Sequence, residues 1–525
     1  MTTVADVIVA RLCDAGVRHV FGVPGGGSNL DLVAACGRAG LPFVLTATET
    51  GGAIAALAQA EISGRPGACL TTLGPGVAAV VNGAACARLE RAPLLVFTDA
   101  APDGTTFEHQ RLDHRALLAP VTKWSTVIDD STVADAMAQA VACATEEPRG
   151  PVHLECPGDV LARPFTDSPA TFAAYRTARL AKTRKRHRGS GADPSGNVDL
   201  LRRCERPLLL VGLGARDAAT ASSIRALCAS HRIPALVTYK AKGVVADADS
   251  WFAGVFTNGA VERPVIEQAD VLIAVGLDAV ELLPRAWTYA QPLVHVPSSE
   301  VAALFSALDV SRWSHAALQQ ALARQRAAVC VAADRLAPHR VVEIAARAAP
   351  RARVAVDAGA HMFPATMLWP IGEPNGMLIS NGLSTMGFAL PAAIGAALLE
   401  RQGGHSSERH TFALTGDGGL LMCAGELATA AREGLHLIVI VFDDQALSLI
   451  DIKQQQRRMS RSGVDITAVD WRAVGQSMGV RGHTVTTEGE LASALETALQ
   501  HRGPSLIDVR VDSGGYPAIL HAVRG

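Results

Sequence analysis

The sequence predicts an α/β protein of three successive doubly wound parallel-sheet domains. Three observations lead there. The chain has 525 residues, room for roughly three domains at about 150 residues each. Short apolar runs alternate with Ala-rich helical stretches, the pattern of parallel strands covered by helices on both faces. One stretch, 164–197, has no long apolar segment and interrupts the alternation. The expected division is a first domain over 1–165, a linker over 166–197, a central domain over 198–335 and a third domain over 336–525.

In the first domain, residues 1–16 read as an amphipathic helix with Val4, Val7, Ile8 and Leu12 on one face, not as a secretory leader. Strands are expected at 19–23, 43–47, 68–72, 94–98 and 152–155, with helices between them such as 52–61 and 76–89. The linker carries a basic run at 182–188. A solvated linker is the preferred reading of it over a targeting or nucleic-acid segment. The central domain begins at Pro207 with PLLLVGLGA and continues through 235–238, 271–275 and 293–296. Its GLGA is only a fragment of a dinucleotide fingerprint. Residues 308–338 read as mostly helical. The third domain has strand candidates at 354–356, 411–414, 437–442 and 505–511.

Composition excludes several classes. With 49% hydrophobic and 19% charged residues, the chain can bury several cores and is not a disordered protein. A formal net charge of −2 and 4% aromatic residues argue against a dedicated nucleic-acid binder. No apolar run reaches the roughly 18 residues of a membrane span. Ten cysteines are scattered without metal-ligand spacing, as expected of buried thiols in a reducing compartment. A soluble cytoplasmic protein is expected.

The strongest chemical signal lies in the third domain. The apolar strand 412–415 ends at Gly416-Asp417-Gly418-Gly419, a helical stretch runs from 420 to 432, and the next strand ends at Asp443-Asp444. Asp417 and Asp444, 27 residues apart, therefore sit at the carboxyl ends of two parallel strands, where open α/β sheets bind ligands. Gly416, Gly418 and Gly419 let backbone N–H groups approach a diphosphate at a helix N-terminus. Magnesium takes oxygen ligands and borrows some from phosphate. On spacing alone, helix caps or turn formers explain both Asp residues equally well.

GDG followed some 25 to 30 residues later by an Asn-Asn pair resembles the diphosphate–metal motif of thiamine-diphosphate enzymes. The resemblance extends along nearly the whole chain. VFGVPGGG (20–27), GPG (74–76), GPVHLECPGDV (150–160) and GLSTMGFALPAAIG (382–395) are similar to blocks of the acetolactate synthase-like branch. It implies a pyrimidine-binding domain, a central domain and a diphosphate-binding domain in that order. Pro24 and Gly25 then fall in the cofactor loop of the first domain. Asp417, Asp444 and the backbone carbonyl of Ala446 fall on the Mg2+ ligands. The sequence departs from the family here, because the usual Asn-Asn is Asp443-Asp444.

The same resemblance places Glu49 on the family Glu that hydrogen-bonds N1′ of the aminopyrimidine. A carboxyl in an apolar pocket suits that role, since burial disfavours its charged form. Read without the family, it is a Glu favoured by a helix dipole. Met386 falls on the apolar residue that props the cofactor, with core filling as the plain alternative. The carbonyl of Ser384, where the family often has Gly, would receive the cofactor's amino group. Ala360 and His361 stand where the branch has Gln-His against the diphosphate; His361 read alone is a helix cap. Gln110 matches a Gln lining the active site. His109 beside it serves either as a proton shuttle or as a surface residue. Leu449 and Ile450 match the apolar wall over the thiazolium.

Other departures concern the reaction. Lys453 replaces a Trp that governs acceptor choice. The stretch GLDAVELLPR (276–285) lacks the flavin-contact pattern, which argues against FAD. Thr72 stands where benzoylformate decarboxylase-like enzymes have His, and the paired His of pyruvate decarboxylases is missing. The resemblance implies a thiamine-diphosphate and Mg2+ enzyme that decarboxylates a 2-oxo acid and ligates the product to a second carbonyl. The alternatives are a simple 2-oxo acid decarboxylase, a lyase cleaving a C–C bond of a diketone or acyloin, and a cofactor-binding chain without activity. It also implies a homodimer at least, with a homotetramer common in this architecture. Glu49 would come from one chain and Asp417 from its partner.

Overall fold

A computed structural model describes residues 2–101, 109–165, 194–402 and 409–525. The basic run of the linker lies outside the described residues. The chain forms two compact units, Met1–Asn197 and Val198–Gly525.

The first unit holds one sheet of six parallel strands. They are β1 Val20–Val23, β2 Phe43–Leu45, β3 Gly67–Thr71, β4 Leu94–Ala100, β5 Trp124–Val127 and β6 Pro151–Pro157, in spatial order β2-β1-β3-β4-β6-β5. The N-terminal helix Val4–Asp14 buries Val4, Ile8 and Leu12 as expected, leaves Val7 half-buried, and buries Val9 as well. The helix Glu49–Ser63 is buried from Gly51 to Glu61. Its composition explains how it fits. A Cβ at Gly52 would lie 3.0 Å from Gly22 Cα, and one at Gly83 on the helix Pro75–Leu89 would lie 2.4 Å from Ala53 Cβ. Glycine and alanine therefore let both helices pack at backbone distance.

The second unit holds two parallel sheets. The central one has β7 Pro207–Val211, β8 Ala235–Val237, β9 Phe252–Val255, β10 Val271–Val275 and β11 Leu293–Val296, in order β11-β10-β7-β8-β9. The third has β12 Arg353–Val356, β13 Met377–Ile379, β14 Thr411–Gly416, β15 Leu437–Asp443, β16 Arg481–Val485 and β17 Ser505–Arg510, in order β13-β12-β14-β15-β17-β16. That is the order of the first sheet repeated. Both reverse direction beside their first strand, between β1 and β3 and between β12 and β14. Open α/β sheets bind ligands at such a switch point.

Two expectations are corrected. The single helical stretch 420–432 is two helices, Asp417–Cys423 and Glu426–Arg432, broken at Ala424–Gly425. A helix over Pro194–Arg203 begins inside the segment read as linker.

Candidate active site

In the second unit the switch point carries the GDG motif. Strand β12 ends at Val356 and leads through Asp357 to Ala360 and His361; β14 ends at Gly416, and Asp417 opens a helix. The next strand, β15, delivers Asp444. All twelve candidate residues of this unit line one cavity of about 590 Å3: Ala360, His361, Ser384, Met386, Gly416, Asp417, Gly418, Gly419, Asp444, Ala446, Leu449 and Ile450, with Lys453 beside them.

The two acidic residues are strained electrostatically. Asp417 is buried and its carboxyl is pushed up to about 7, first by burial and then by Asp444. Asp444 is pushed up to about 6, chiefly by burial, against the hydroxyl of Ser448, which donates to its Oδ2. Asp417 Oδ1 accepts the Gly418 N–H at 2.8 Å, while its Oδ2 is buried without a hydrogen-bond partner. Two neighbouring carboxylates and an orphaned oxygen are what a bound cation relieves. Among the described residues no group of three or more His, Cys, Asp and Glu forms a metal cluster. The set is two carboxylates and a main-chain carbonyl, all oxygen, which leaves positions for diphosphate oxygens on a hard divalent cation. The loop bearing Ala446 is pinned by Leu447 N–H to Val464 O at 2.7 Å and Ile466 N–H to Gln445 O at 2.9 Å.

His361 occupies the N-cap position of the helix Met362–Leu368 but its side chain caps nothing. The ring is buried and stacked on Phe442, with centroids 5.1 Å apart. Burial lowers it to about 4, so the imidazole is neutral, and its Nε2 has no hydrogen-bond partner. Ser384 has φ +54°, a left-handed conformation that glycine adopts at least cost. That explains why the family often has Gly there.

Sequence reasoning missed Asp357. Fully buried at the end of β12, it accepts from Gly387 N–H at 3.0 Å and Thr415 Oγ1–H at 2.8 Å through Oδ2, and from Phe388 N–H at 3.2 Å through Oδ1. One carboxyl thus ties the segment bearing Met386 to the strand bearing the GDG motif. Burial pushes it up to about 6 against those hydrogen bonds. Its place, an Asp ending a strand beside the switch point, was the available signal.

In the first unit the corresponding switch point gathers Pro24 and Gly25 after β1, and Thr72 and the 74–76 turn after β3. A Cβ at Gly25 would meet Thr72 Oγ1 at 2.2 Å. Gly25 N–H donates to Asn29 Oδ1 at 2.8 Å. Glu49 follows β2 as the first residue of its helix, half-buried rather than enclosed within this unit, and Thr48 caps the helix by accepting from Gly51 N–H at 2.9 Å. The Glu49 carboxylate abuts the turn, since a Cβ at Gly76 would lie 3.0 Å from its Oε1. His109 and Gln110 are both exposed, and Gln110 has φ +69°. Gln110 packs its backbone on Gly74; no contact joins His109 to Glu49.

Comparison with known proteins decides the family. The description "Thiamine pyrophosphate enzyme" matches in three parts: its N-terminal TPP binding domain over residues 2–117, its central domain over 196–303 and its C-terminal TPP binding domain over 357–509. The chain belongs to the thiamine-diphosphate enzymes. It falls in their acetolactate synthase-like branch. It is 27% identical to an acetolactate synthase of Bacillus subtilis, over 97% of this chain and 93% of that protein. It is 28% identical to a probable 2-ketoarginine decarboxylase of Pseudomonas aeruginosa, over 97% and 94%. It is 28% identical to a 2-hydroxyacyl-CoA lyase of Oryza sativa, over 95% and 94%. The three-domain α/β architecture and thiamine diphosphate as cofactor follow from the family.

Proposed function

We propose that the protein decarboxylates a 2-oxo acid with thiamine diphosphate and Mg2+ and joins the product to a second carbonyl compound. The carrying observation is the convergence of Asp417, Asp444, Ala446, His361, Met386 and Leu449 on one cavity at the switch point. Asp417 Oδ2 and Asp444 hold the cation, with the carbonyl of Ala446 as third protein ligand. Neutral His361 stands at the diphosphate position with its Nε2 unpartnered. The cofactor, when bound, supplies the electron sink for loss of carbon dioxide. Met386 props it, and Leu449 and Ile450 exclude water from the reacting face, which favours loss of charge from a carboxylate. Glu49 holds the proton exchanged with the aminopyrimidine N1′, and Gln110 and His109 face the substrate.

Glu49 comes from one protomer and Asp417 from its partner, in a homodimer or a dimer of dimers. Exposed apolar residues beside the diphosphate motif support this: Leu421 is 50% and Met422 60% exposed on the helix that begins at Asp417, and Ile450 is 46% exposed. Such a patch in a folded chain marks an interaction surface. None of the ten cysteines forms a disulfide, in keeping with a reducing, cytoplasmic setting. No helix among the described residues is long and apolar enough to cross a membrane.

Lys453 favours a second reading. It lines the cavity in place of an apolar Trp, and one relative is a probable decarboxylase. Product analysis separates the two. With thiamine diphosphate, Mg2+ and pyruvate, NMR is expected to show acetolactate and carbon dioxide. Acetaldehyde alone would make the protein a simple decarboxylase.

A further inference from the structure

The first unit contains a buried histidine that no catalytic role has absorbed. His114 begins the helix His114–Leu118 and its side chain is 3% exposed. Gly74 N–H donates to its Nε2 at 3.1 Å. Its Nδ1 lies 3.2 Å from Oε1 of Glu155, on β6. An N–H donated to Nε2 leaves that nitrogen unprotonated. The neutral ring therefore carries its proton on Nδ1, facing the Glu155 carboxylate. Only Nε2 makes a hydrogen bond; Nδ1 lies close to the Glu155 carboxylate without bonding to it.

The group it holds matters more than the bond. Gly74 has φ +65° and opens the 74–76 turn, where it serves as N-cap of the helix Pro75–Leu89 with no side chain of its own to cap it. The turn is wedged between the two predicted catalytic positions of this unit. A Cβ on Gly74 would lie 2.3 Å from the carbonyl oxygen of Gln110, and a Cβ on Gly76 would lie 3.0 Å from Glu49 Oε1 and 2.1 Å from Thr71 Oγ1. The turn packs directly on the Gln110 backbone on one flank and meets the end of the Glu49 side chain on the other.

We propose that His114 is a positioning residue for this catalytic face: backed by Glu155, its Nε2 fixes the 74–76 turn, and the turn seats both Glu49 and Gln110. An apolar side chain would fill the same volume but could not accept the Gly74 N–H. The proposal rests on the reading of Glu49 as the proton-handling carboxylate.

The test uses the full-length protein and three substitutions. His114→Gln places an amide oxygen where Nε2 accepts. His114→Asn reaches only the Glu155 side. His114→Leu offers neither. Hydrogen exchange of the peptide spanning the turn, measured by mass spectrometry without cofactor, should speed up in the Asn and Leu variants and stay near wild type in Gln. With thiamine diphosphate and Mg2+ bound, exchange of the cofactor's C2 proton with solvent, measured by acid quench and NMR, needs no substrate. It should fall in Asn and Leu by on the order of 10²-fold, the effect of a misplacement of about 1 Å, with cofactor affinity unchanged, and recover in Gln. Gln as slow as Leu, or Leu as fast as wild type, overturns the proposal. Glu49→Gln is the control. If it exchanges C2 normally, the reading of Glu49 fails. If Glu49→Gln is slow while His114→Leu is fast, only the role of His114 fails. Should the Leu variant not fold, the comparison of Gln with Asn decides.

Discussion

At the scale of single residues, charge at the metal site is the feature most particular to this chain. Where the family motif it resembles has an Asn-Asn pair, it has Asp443 and Asp444. Arg510 lies 2.7 Å from Asp443 Oδ2 and 2.8 Å from Asp508 Oδ2, so Asp443 shares its cation with a second carboxyl. Asp444 has the Ser448 hydroxyl and the Ala446 backbone amide but no cationic side chain beside it among the described residues, so its charge is available to a cation. Asp444→Asn should therefore weaken Mg2+ binding on the order of tenfold, by removing one nearby charge, while metal-free protein should bind thiamine diphosphate more readily. Isothermal titration with each ligand alone checks both directions. Unchanged affinities would make the added charge irrelevant. Spacing alone left Asp417 and Asp444 open between cation ligands and helix caps; the resemblance to the diphosphate motif is what singled them out. His114 and Asp357 were not legible. They act through backbone amides of residues 40 and 30 positions away, and sequence spacing carries no trace of such bonds.

At the scale of elements, the sequence reading found every interior strand and missed β5, β9, β13 and β16. All four are sheet edges. An interior parallel strand is buried on both faces and paired on both sides, so it reads as a continuous apolar run, as in Leu437–Asp443. An edge strand is freed from that demand. β16 reads RGHTV and is exposed at Arg481 and Thr484, and β13 is only three residues long. The elements that build the site are interior and glycine-bounded, which is why they were visible. Close packing also makes them brittle. A Cβ at Gly419 would lie 2.5 Å from Asp357 Oδ2 and 2.8 Å from Thr415 Oγ1, inside the clamp between β12 and β14. Gly419→Ala should cost about 1–3 kcal/mol of stability through overpacking and weaken cofactor binding by moving Gly387 and Met386. Thermal denaturation with and without thiamine diphosphate measures both. A variant with native stability and affinity would show that the clamp does not govern the site.

For the whole molecule, the second unit buries carboxyls that prefer to be neutral. Glu281 is the clearest. It accepts from Leu213 N–H at 2.9 Å and from the Thr238 hydroxyl, and burial pushes it up to about 7 from an ordinary 4.5. The folded state then keeps a proton that the unfolded chain releases first. Stability from this group is full below about pH 4.5 and is lost as pH rises through about 7. The loss is at most about 3.5 kcal/mol, from about 1.4 kcal/mol per unit. Glu281→Gln should flatten that part of the profile in urea titrations at pH 5 and pH 8; an equal slope in both proteins would assign the pH dependence elsewhere. The repeated order of the two six-stranded sheets belongs to this scale too. No sequence repeat announced it, because topology constrains burial and connection length rather than residue identity.

The most direct test of the assigned site is a calorimetric titration of thiamine diphosphate into the full-length protein and its Asp417→Asn variant, each with and without Mg2+. Saturable binding that requires Mg2+ and is lost or greatly weakened in the variant is the expected result. Equal binding in the two proteins, or binding indifferent to Mg2+, would contradict the placement of the cation and the diphosphate at Asp417.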